Sequence, residues 1–462
     1  MKFGLFISNP CPRPWDENSD KRVLDQALEQ VELADRLGID YAWPVEHHFL
    51  EEYSHAAAPE MFLAAAAMRT KNIRLAHGIV HCLPNINHPA RIAERIAILD
   101  LLSNGRAEFG TGEGSSEAEL GGFMIDAKQK RAMWDETVRV AVRCMTEEPF
   151  TGFKGEFVTM PPRNVVPKPL QKAHPPLWLA CSRRETIHLA AQRGMGALAF
   201  AFFDPEEARH WVDDYYTTLE EEGVPMGDEV NPNLATVTTF FCHEDEQEAI
   251  NRGAEGVNFI GYSLGHYYVF GKHKPSETNV WQEYLDLRAE KGYDSDAIKL
   301  AKGNESTLGA KVVEEGISGL RGAMGTPDQV RDYLLRYEEA GVDQVIFATT
   351  AGKNKHEHIM ESMELFAKKV MPEFKEREKE AEAKKAERMK PIIAKVKARK
   401  PASDHPPLPE GYEIVATPRA VAEGKNSADF NKWLDDYAEE LALGEDVSKR
   451  LANPSIDGGG TS

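Results

Sequence analysis

Tyr41-Ala42-Trp43-Pro44-Val45-Glu46-His47-His48 is an apolar run of strand character that ends in a carboxylate and two imidazoles. Before it, Val23, Leu24, Ala27, Leu28, Val31, Leu33, Ala34 and Leu37 recur at helical spacing and stop at Gly38, a C-terminal cap residue. The chain therefore reads strand (Phe3–Ile7), helix, strand, with the histidines just past the second strand's C-terminal end. In an eight-stranded parallel barrel that end carries the active site. Side chains alternate across a strand, so His47 and His48 are expected to meet different environments, one facing the mouth and the other packing behind it.

The same alternation continues outward. Residues 64–68 and 90–102 read as helices, and 73–80, 106–110, 177–180, 197–202, 236–241 and 344–350 as further strands, which brings the count to eight. The expected fold is an α/β, (β/α)₈ TIM barrel with insertions and a C-terminal helical extension, divided into residues 1–372 and 373–462. Two stretches interrupt the pattern, 151–176 and 256–320, and both are read as lids or subunit contacts, with surface loops as the plain alternative. Residues 373–400 are rich in Lys, Glu and Ala and are expected to form a charged helix that buries little, separable from the chemistry. A Pro-rich spacer, 401–409, leads to an apolar helical stripe at Phe430, Trp433, Leu434, Tyr437 and Leu441 that needs a partner surface.

Composition narrows the function. Over 462 residues, 75 acidic against 55 basic side chains leave a formal charge of −20, which disfavours nucleic acid and anionic membrane as main partners. Five cysteines without a CxxC pair suggest neither a disulfide framework nor a zinc site, and the expected compartment is the cytoplasm. No secretory signal and no membrane-spanning window is read. His77 and His81 lie four apart on the third strand, but no further ligands stand nearby in sequence, so no metal is expected.

Two loops carry further chemistry. Gly110-Thr111-Gly112-Glu113-Gly114 follows the fourth strand, where glycines let backbone approach a flat ring or a phosphate, or simply turn the chain. It lacks the full GxGxxG pattern and comes too late in the chain for a dinucleotide fingerprint. Cys181-Ser182-Arg183-Arg184-Glu185-Thr186 opens a helix after the fifth strand. Hydroxyls, free N–H groups and two guanidinium groups there suit a phosphate; the alternative is that Ser182 or Thr186 only caps the helix. Met133 and Trp134 are read as core.

Taken together the chain resembles the luciferase-like flavin-dependent monooxygenase family, which includes the bacterial luciferases. The resemblance rests on Met1–Gly4, Glu46-His47-His48-Phe49, Gly78-Ile79-Val80 followed by His88-Pro89, Gly105-Arg106 through Phe109-Gly110, Ala190-Ala191-Gln192 and Gly325-Thr326-Pro327, and it covers residues 1 to about 372. It implies a (β/α)₈ barrel binding reduced FMN, or in some branches a deazaflavin, at the C-terminal mouth. His47 matches the family's catalytic histidine and His48 its neighbour. Ser182 and Thr186 match hydroxyls that bind the flavin phosphate, and His77-Gly78 matches a peptide that is often cis beneath the ring. Glu46, Gly112, Cys181, Arg183 and Arg184 complete the expected cofactor site.

Two departures stand out: Gly112 replaces the cysteine of bacterial luciferase, and Glu113 replaces a phosphate-binding arginine, a charge that Arg183 or Arg184 could supply. The implied activity is a two-component monooxygenase acting through a flavin hydroperoxide on a small organic substrate. It implies dioxygen and a separate flavin reductase as partners, and a homo-oligomer, dimer or tetramer. The alternatives are deazaflavin-dependent hydride transfer and a non-catalytic flavin-binding relative.

Overall fold

The structure is a computed structural model. It describes residues 1–200, 203, 205–291 and 322–402, together with 405, 407–408, 410–412 and 414. In chain order the elements begin β1 (Lys2–Ile7), α1 (Ser19–Leu37), β2 (Tyr41–Pro44), α2 (Pro59–Arg69), β3 (Arg74–Ala76), β4 (Val80–His81), α3 (Pro89–Leu102) and β5 (Ala107–Gly112). They continue α4 (Glu117–Gly122), α5 (Lys130–Thr146), β6 (Phe153–Lys154), β7 (Thr159–Met160), β8 (Leu177–Cys181), α6 (Arg184–Gln192), β9 (Gly196–Ala199), α7 (Pro205–Glu222) and β10 (Leu234–Cys242). After these come α8 (Glu246–Gly265), a π-helical turn (His266–Phe270), α9 (Val280–Lys291), β11 (Ala323–Gly325), α10 (Pro327–Ala340), β12 (Gln344–Ala348), α11 (His356–Lys369) and α12 (Met371–Ala398).

The expected barrel is present. The parallel ring runs β1-β2-β3-β5-β8-β9-β10-β12 and closes through β1 pairing with β12, Phe3 opposite Val345 and Leu5 opposite Phe347. Alternation sorts each strand: Phe6, Trp43, Trp178, Leu198, Val237 and Ile346 form one buried cluster, while Phe3, Phe240 and Phe347 pack edge or face on Phe366 of α11. Local signals explain the boundaries. Gly38 takes φ +87° and its N–H bonds to the Ala34 and Asp35 carbonyls. Thr326 and Gln329 exchange backbone and side-chain hydrogen bonds around Pro327 at the start of α10.

Three expectations change. The third strand is not continuous over 73–80; pairing breaks at His77–Ile79 and resumes as β4. The fourth strand extends through Gly112, so two of the loop glycines lie within it. A Cβ on Gly110 would stand 1.8 Å from the His77 carbonyl oxygen, and one on Gly112 2.8 Å from Ile79. Glycine is thus required at position 110, where the interrupted strand crosses β5, and position 112 is crowded by the Ile79 side chain. The interval 256–320 is also not one excursion, because 256–265 completes α8; residues 292–321 lie outside the described residues, as does the stripe 430–441.

Residues 1–146 and 166–401 form one compact unit, and 147–165 with 402–462 a second, whose described part includes the antiparallel β6–β7 hairpin. The helix expected to bury little belongs to the first unit. Phe374 of α12 is fully buried and meets Phe3 edge-on at 5.4 Å. Lys375 pairs with Asp40 at 2.6 Å, Arg377 with Glu338 at 2.6 Å and Lys385 with Asp343 at 2.6 Å. Asp40 and Asp343 stand just before β2 and β12, so α12 lies on the barrel's N-terminal face, opposite the histidines. Replacing Phe374 by Ala should lower unfolding free energy by about 3–5 kcal/mol. Equilibrium denaturation measures it, and a loss below about 1 kcal/mol would mean that α12 is not part of the folding unit.

Candidate functional site

β2 delivers Glu46, His47 and His48 to the barrel mouth. The Glu46 carboxylate is buried and saturated: Oε2 accepts the His81 N–H at 2.8 Å, and Oε1 accepts Asn87 Nδ2 at 2.9 Å and His48 Nε2 at 3.1 Å. Burial alone would raise its pKa. The donors and the neighbouring His81 overcome that and hold it below the ordinary carboxylate value.

His47 takes a different carboxylate. Its Nδ1 lies 3.1 Å from Glu119 Oε1, which also accepts the His48 N–H at 3.0 Å. Glu119 too is held low, with burial opposed by the charge and hydrogen bond of His47. The adjacent histidines do have different partners, as alternation predicted. His48 does not pack away behind the strand, however: its side chain is 16 % exposed and that of His47 17 %. Both rings lie near His81, at centroid distances of 5.9 and 6.3 Å. Glu46, His48 and His81 each place a ligand-type atom within 4.8 Å of the others, a grouping that neither the His47-His48 nor the His77/His81 spacing foreshadowed.

Glu119 was missed from the sequence for a physical reason. Ser116-Glu117-Ala118-Glu119 reads as a capping box, and Ser116 does cap α4 through the Ala118 N–H at 3.2 Å. The Glu119 side chain turns to His47 instead. Its Oε2 is buried without a hydrogen-bond partner among the described residues, and so is His81 Nδ1. Around the site Leu50 and Tyr53 join a cluster with Phe259, Leu264, Tyr267, Val280, Trp281 and Tyr284. Glu52 fixes this cover by accepting the N–H groups of Val280 and Trp281 at the start of α9.

The other expected positions divide. His77 is buried, with Nδ1 3.2 Å from the Glu108 carbonyl. The cis peptides among the described residues are Arg13-Pro14, Glu148-Pro149, Val166-Pro167 and Lys172-Ala173, so His77-Gly78 is trans, with the Gly78 N–H on the Pro44 carbonyl at 2.8 Å. Gly112 faces Ile79. The Cys181 thiol donates to the Leu179 and Thr186 carbonyls, and burial pushes its pKa up to about 12. The Thr186 hydroxyl is occupied at the start of α6: it donates to the Arg183 carbonyl at 2.7 Å and accepts the Arg183 N–H at 3.2 Å. Ser182 and Arg183 are exposed there, and Arg184 pairs with Asp214 of α7.

Glu113 itself is paired. Arg131 holds both Glu113 oxygens at 2.8 Å, and Lys130 Nζ donates to the Gly114 carbonyl at 2.6 Å. Burial pushes the Lys130 ammonium below its ordinary value; Glu113 opposes the shift, and the charges of Arg131 and Arg183 add to it. Lys130, Arg131 and Arg183 thus share one electrostatic neighbourhood at the α6 N-terminus.

Comparison with known proteins agrees with this construction. Residues 1–344 match the family described as luciferase-like monooxygenase. The chain belongs to that family. It is 34 % identical over 353 residues to the uncharacterized protein y4wF of Sinorhizobium fredii, covering 76 % of this chain and 91 % of that one. It is 25 % identical over 385 residues, 81 % and 96 % of the two chains, to the oxygenase component of a flavin-dependent trigonelline monooxygenase from Acinetobacter baylyi. Among solved structures, monooxygenase RslO1 from Streptomyces bottropensis superposes with a TM-score of 0.63 at 26 % identity, over 81 % of this chain and all of that one. No helix among the described residues is long and apolar enough to cross a membrane.

The burial of His77, His81 and His174 gives this luciferase-like protein a specific acid response. Burial lowers each imidazole below the ordinary 6.5. The unfolded chain therefore binds more protons below that pH, and stability falls as pH drops through 6.5. Glu46 and Glu119, held below 4.5, add a second loss beneath that value, while Glu108, which burial raises, works in the opposite sense. The denaturant midpoint should decline between about pH 7 and pH 5; a level midpoint over that interval would contradict buried neutral imidazoles.

Proposed function

We propose that the protein is the oxygenase component of a two-component monooxygenase, using reduced FMN from a separate reductase and dioxygen to oxygenate a small organic substrate. The observation that carries this reading is the paired arrangement His47–Glu119 and His48–Glu46 at the C-terminal mouth of the barrel. The name of the Acinetobacter relative, an oxygenase component, supports a partner reductase.

The residues present fit the cofactor. A phosphate would meet Lys130, Arg131, Arg183, the Ser182 hydroxyl and the free N–H groups of the α6 N-terminus. Near the histidines, the unpartnered Glu119 Oε2 and His81 Nδ1 are buried polar atoms suited to a polar ligand or water. Reduced FMN, when bound, supplies the electron pair that activates dioxygen. The chain's task is then to hold the site dry and manage a proton. Glu119 on Nδ1 fixes the His47 ring and leaves Nε2 to hold or deliver a proton. His48, anchored on Glu46, positions the loop. The cluster from Leu50 to Tyr284 excludes water.

Replacing His47 by Ala should slow substrate oxygenation by about 10²-fold or more while the fold is kept; equal turnover would remove His47 from the mechanism. Product formation from reduced FMN, air and candidate substrates tests the reading itself. Hydride transfer from a reduced deazaflavin without dioxygen uptake would replace it.

The two arginines now separate. A charge-assisted bond to phosphate contributes roughly 1.5 to 3 kcal/mol, so Arg183→Ala should weaken reduced FMN binding about tenfold to a hundredfold and leave riboflavin nearly unaffected. Arg184→Ala, which among the described residues breaks only the pair with Asp214, should change neither. Equal loss for riboflavin would mean that Arg183 holds the fold or the ring.

Association of two copies is proposed through α2 and α3, which pack together and leave Met61, Met68, Ile98, Leu101 and Leu102 exposed. Light scattering on Met68→Glu should show a smaller species than the wild type; an unchanged mass would exclude this face.

A further inference from the structure

Glu46, His48 and His81 reach one point from two different places in the chain. Glu46 and His48 flank His47 after β2, and His81 ends β4. We propose that these three side chains form a binding site for a divalent cation of the Zn²⁺ class, distinct in its ligands from the His47–Glu119 pair.

The donor set is two imidazoles and one carboxylate. It suits Zn²⁺, Co²⁺ or Fe²⁺ rather than the oxygen-seeking Mg²⁺ and Ca²⁺. Its ligand atoms all lie within 4.8 Å of one another, and Glu46 Oε1 and His48 Nε2 are 3.1 Å apart. With metal–ligand bonds of about 2.0–2.2 Å, ligand atoms in a tetrahedral site stand about 3.3 Å apart. The first pair is already at that spacing, and the His81 ligand atom lies within 4.8 Å of both. Independent of the spacing, His81 is 2 % exposed and its Nδ1 has no hydrogen-bond partner among the described residues. An unpartnered buried nitrogen is costly to leave unsatisfied, and coordination through Nδ1 would remove that cost.

Residues behind the ligands orient them, as metal sites require. Asn87 Nδ2 holds Glu46 Oε1 at 2.9 Å, the His81 N–H holds Oε2 at 2.8 Å, and the Asn87 amide also donates to the His81 carbonyl at 3.0 Å. Arg95 fixes Asn87 through its Oδ1 at 2.6 Å and is itself paired with Glu60 at 2.5 Å. The carboxylate therefore keeps its place when the proton between His48 and Glu46 is replaced by a cation. Three protein ligands leave a coordination position for water or a small ligand.

The proposal does not depend on the flavin reading, because its test needs no flavin and no substrate. Full-length, flavin-free protein is titrated with Co²⁺, read by its visible d–d absorption, and with Zn²⁺, read by calorimetry. One cation should bind per chain. His48→Ala and His81→Gln should each abolish the Co²⁺ band and weaken Zn²⁺ by more than about a hundredfold, and Asn87→Ala by about tenfold to a hundredfold. His188→Ala, a partly exposed histidine beside Asp214, should bind like the wild type. Should His81→Gln fail to fold by circular dichroism, His48→Ala, whose ring is partly exposed, carries the test. Absence of Co²⁺ and Zn²⁺ binding in the wild type, or unchanged affinity in His48→Ala, overturns the site and leaves the cluster as a hydrogen-bond network alone.

Discussion

The buried carboxylate of Glu46 is the interaction on which the mouth of the barrel depends. An ion removed from water loses several kcal/mol of solvation unless the interior replaces its hydrogen bonds. Here the replacements come from three places: His48 on its own loop, the His81 N–H on β4, and Asn87 on the connection into α3. One anion therefore ties together the exits of two successive strands and the start of a helix. Arg95 extends the tie through Asn87 to Glu60 of α2. Movement of any of these elements would strand the charge, so the geometry around His48 is set by electrostatic necessity as much as by packing.

For His81 to reach Glu46, the chain must leave the sheet after Ala76 and rejoin it at Val80. That detour pushes the His77 carbonyl and the Ile79 side chain toward β5, where any side chain at positions 110 or 112 would collide. The glycines of the fourth strand thus serve the detour directly and the site indirectly. Ile79 fills the space that a side chain at position 112 would need.

Much of this was legible in the sequence. The period of the apolar residues, the Gly38 stop and the Thr326-Pro327 start predict the alternating elements, and the Glu-His-His run marks the functional end of β2. What was hidden are pairings between residues far apart in the chain. Glu119 sits where a capping glutamate would, so its type carried no excess signal. Arg131 is separated from Glu113 by 18 residues, so the spacing carried no sign of the pair. The charges of α12 look like a solvated face because their partners, Asp40, Glu338 and Asp343, are acidic residues far away in sequence, at or near element ends. A helix can carry few large apolar groups and still dock when each of several charges finds one fixed opposite number.

The two mouth histidines, adjacent in sequence, are held by opposite nitrogens. His47 meets Glu119 through Nδ1, and His48 meets Glu46 through Nε2. A carboxylate partner favours the proton on the nitrogen that faces it, so His47 presents Nε2 to its surroundings and His48 presents Nδ1. The tautomers are fixed in opposite senses by two separate anions, each with its own backbone donor: the His81 N–H for Glu46 and the His48 N–H for Glu119. Neither ring can take the other's place by a simple rotation, because turning either one would leave a buried carboxylate short of a donor. The alternation of a strand end thus becomes a chemical distinction between neighbouring residues of the same type, one anchored by a carboxylate two residues before it and the other by a helix 72 positions further along the chain.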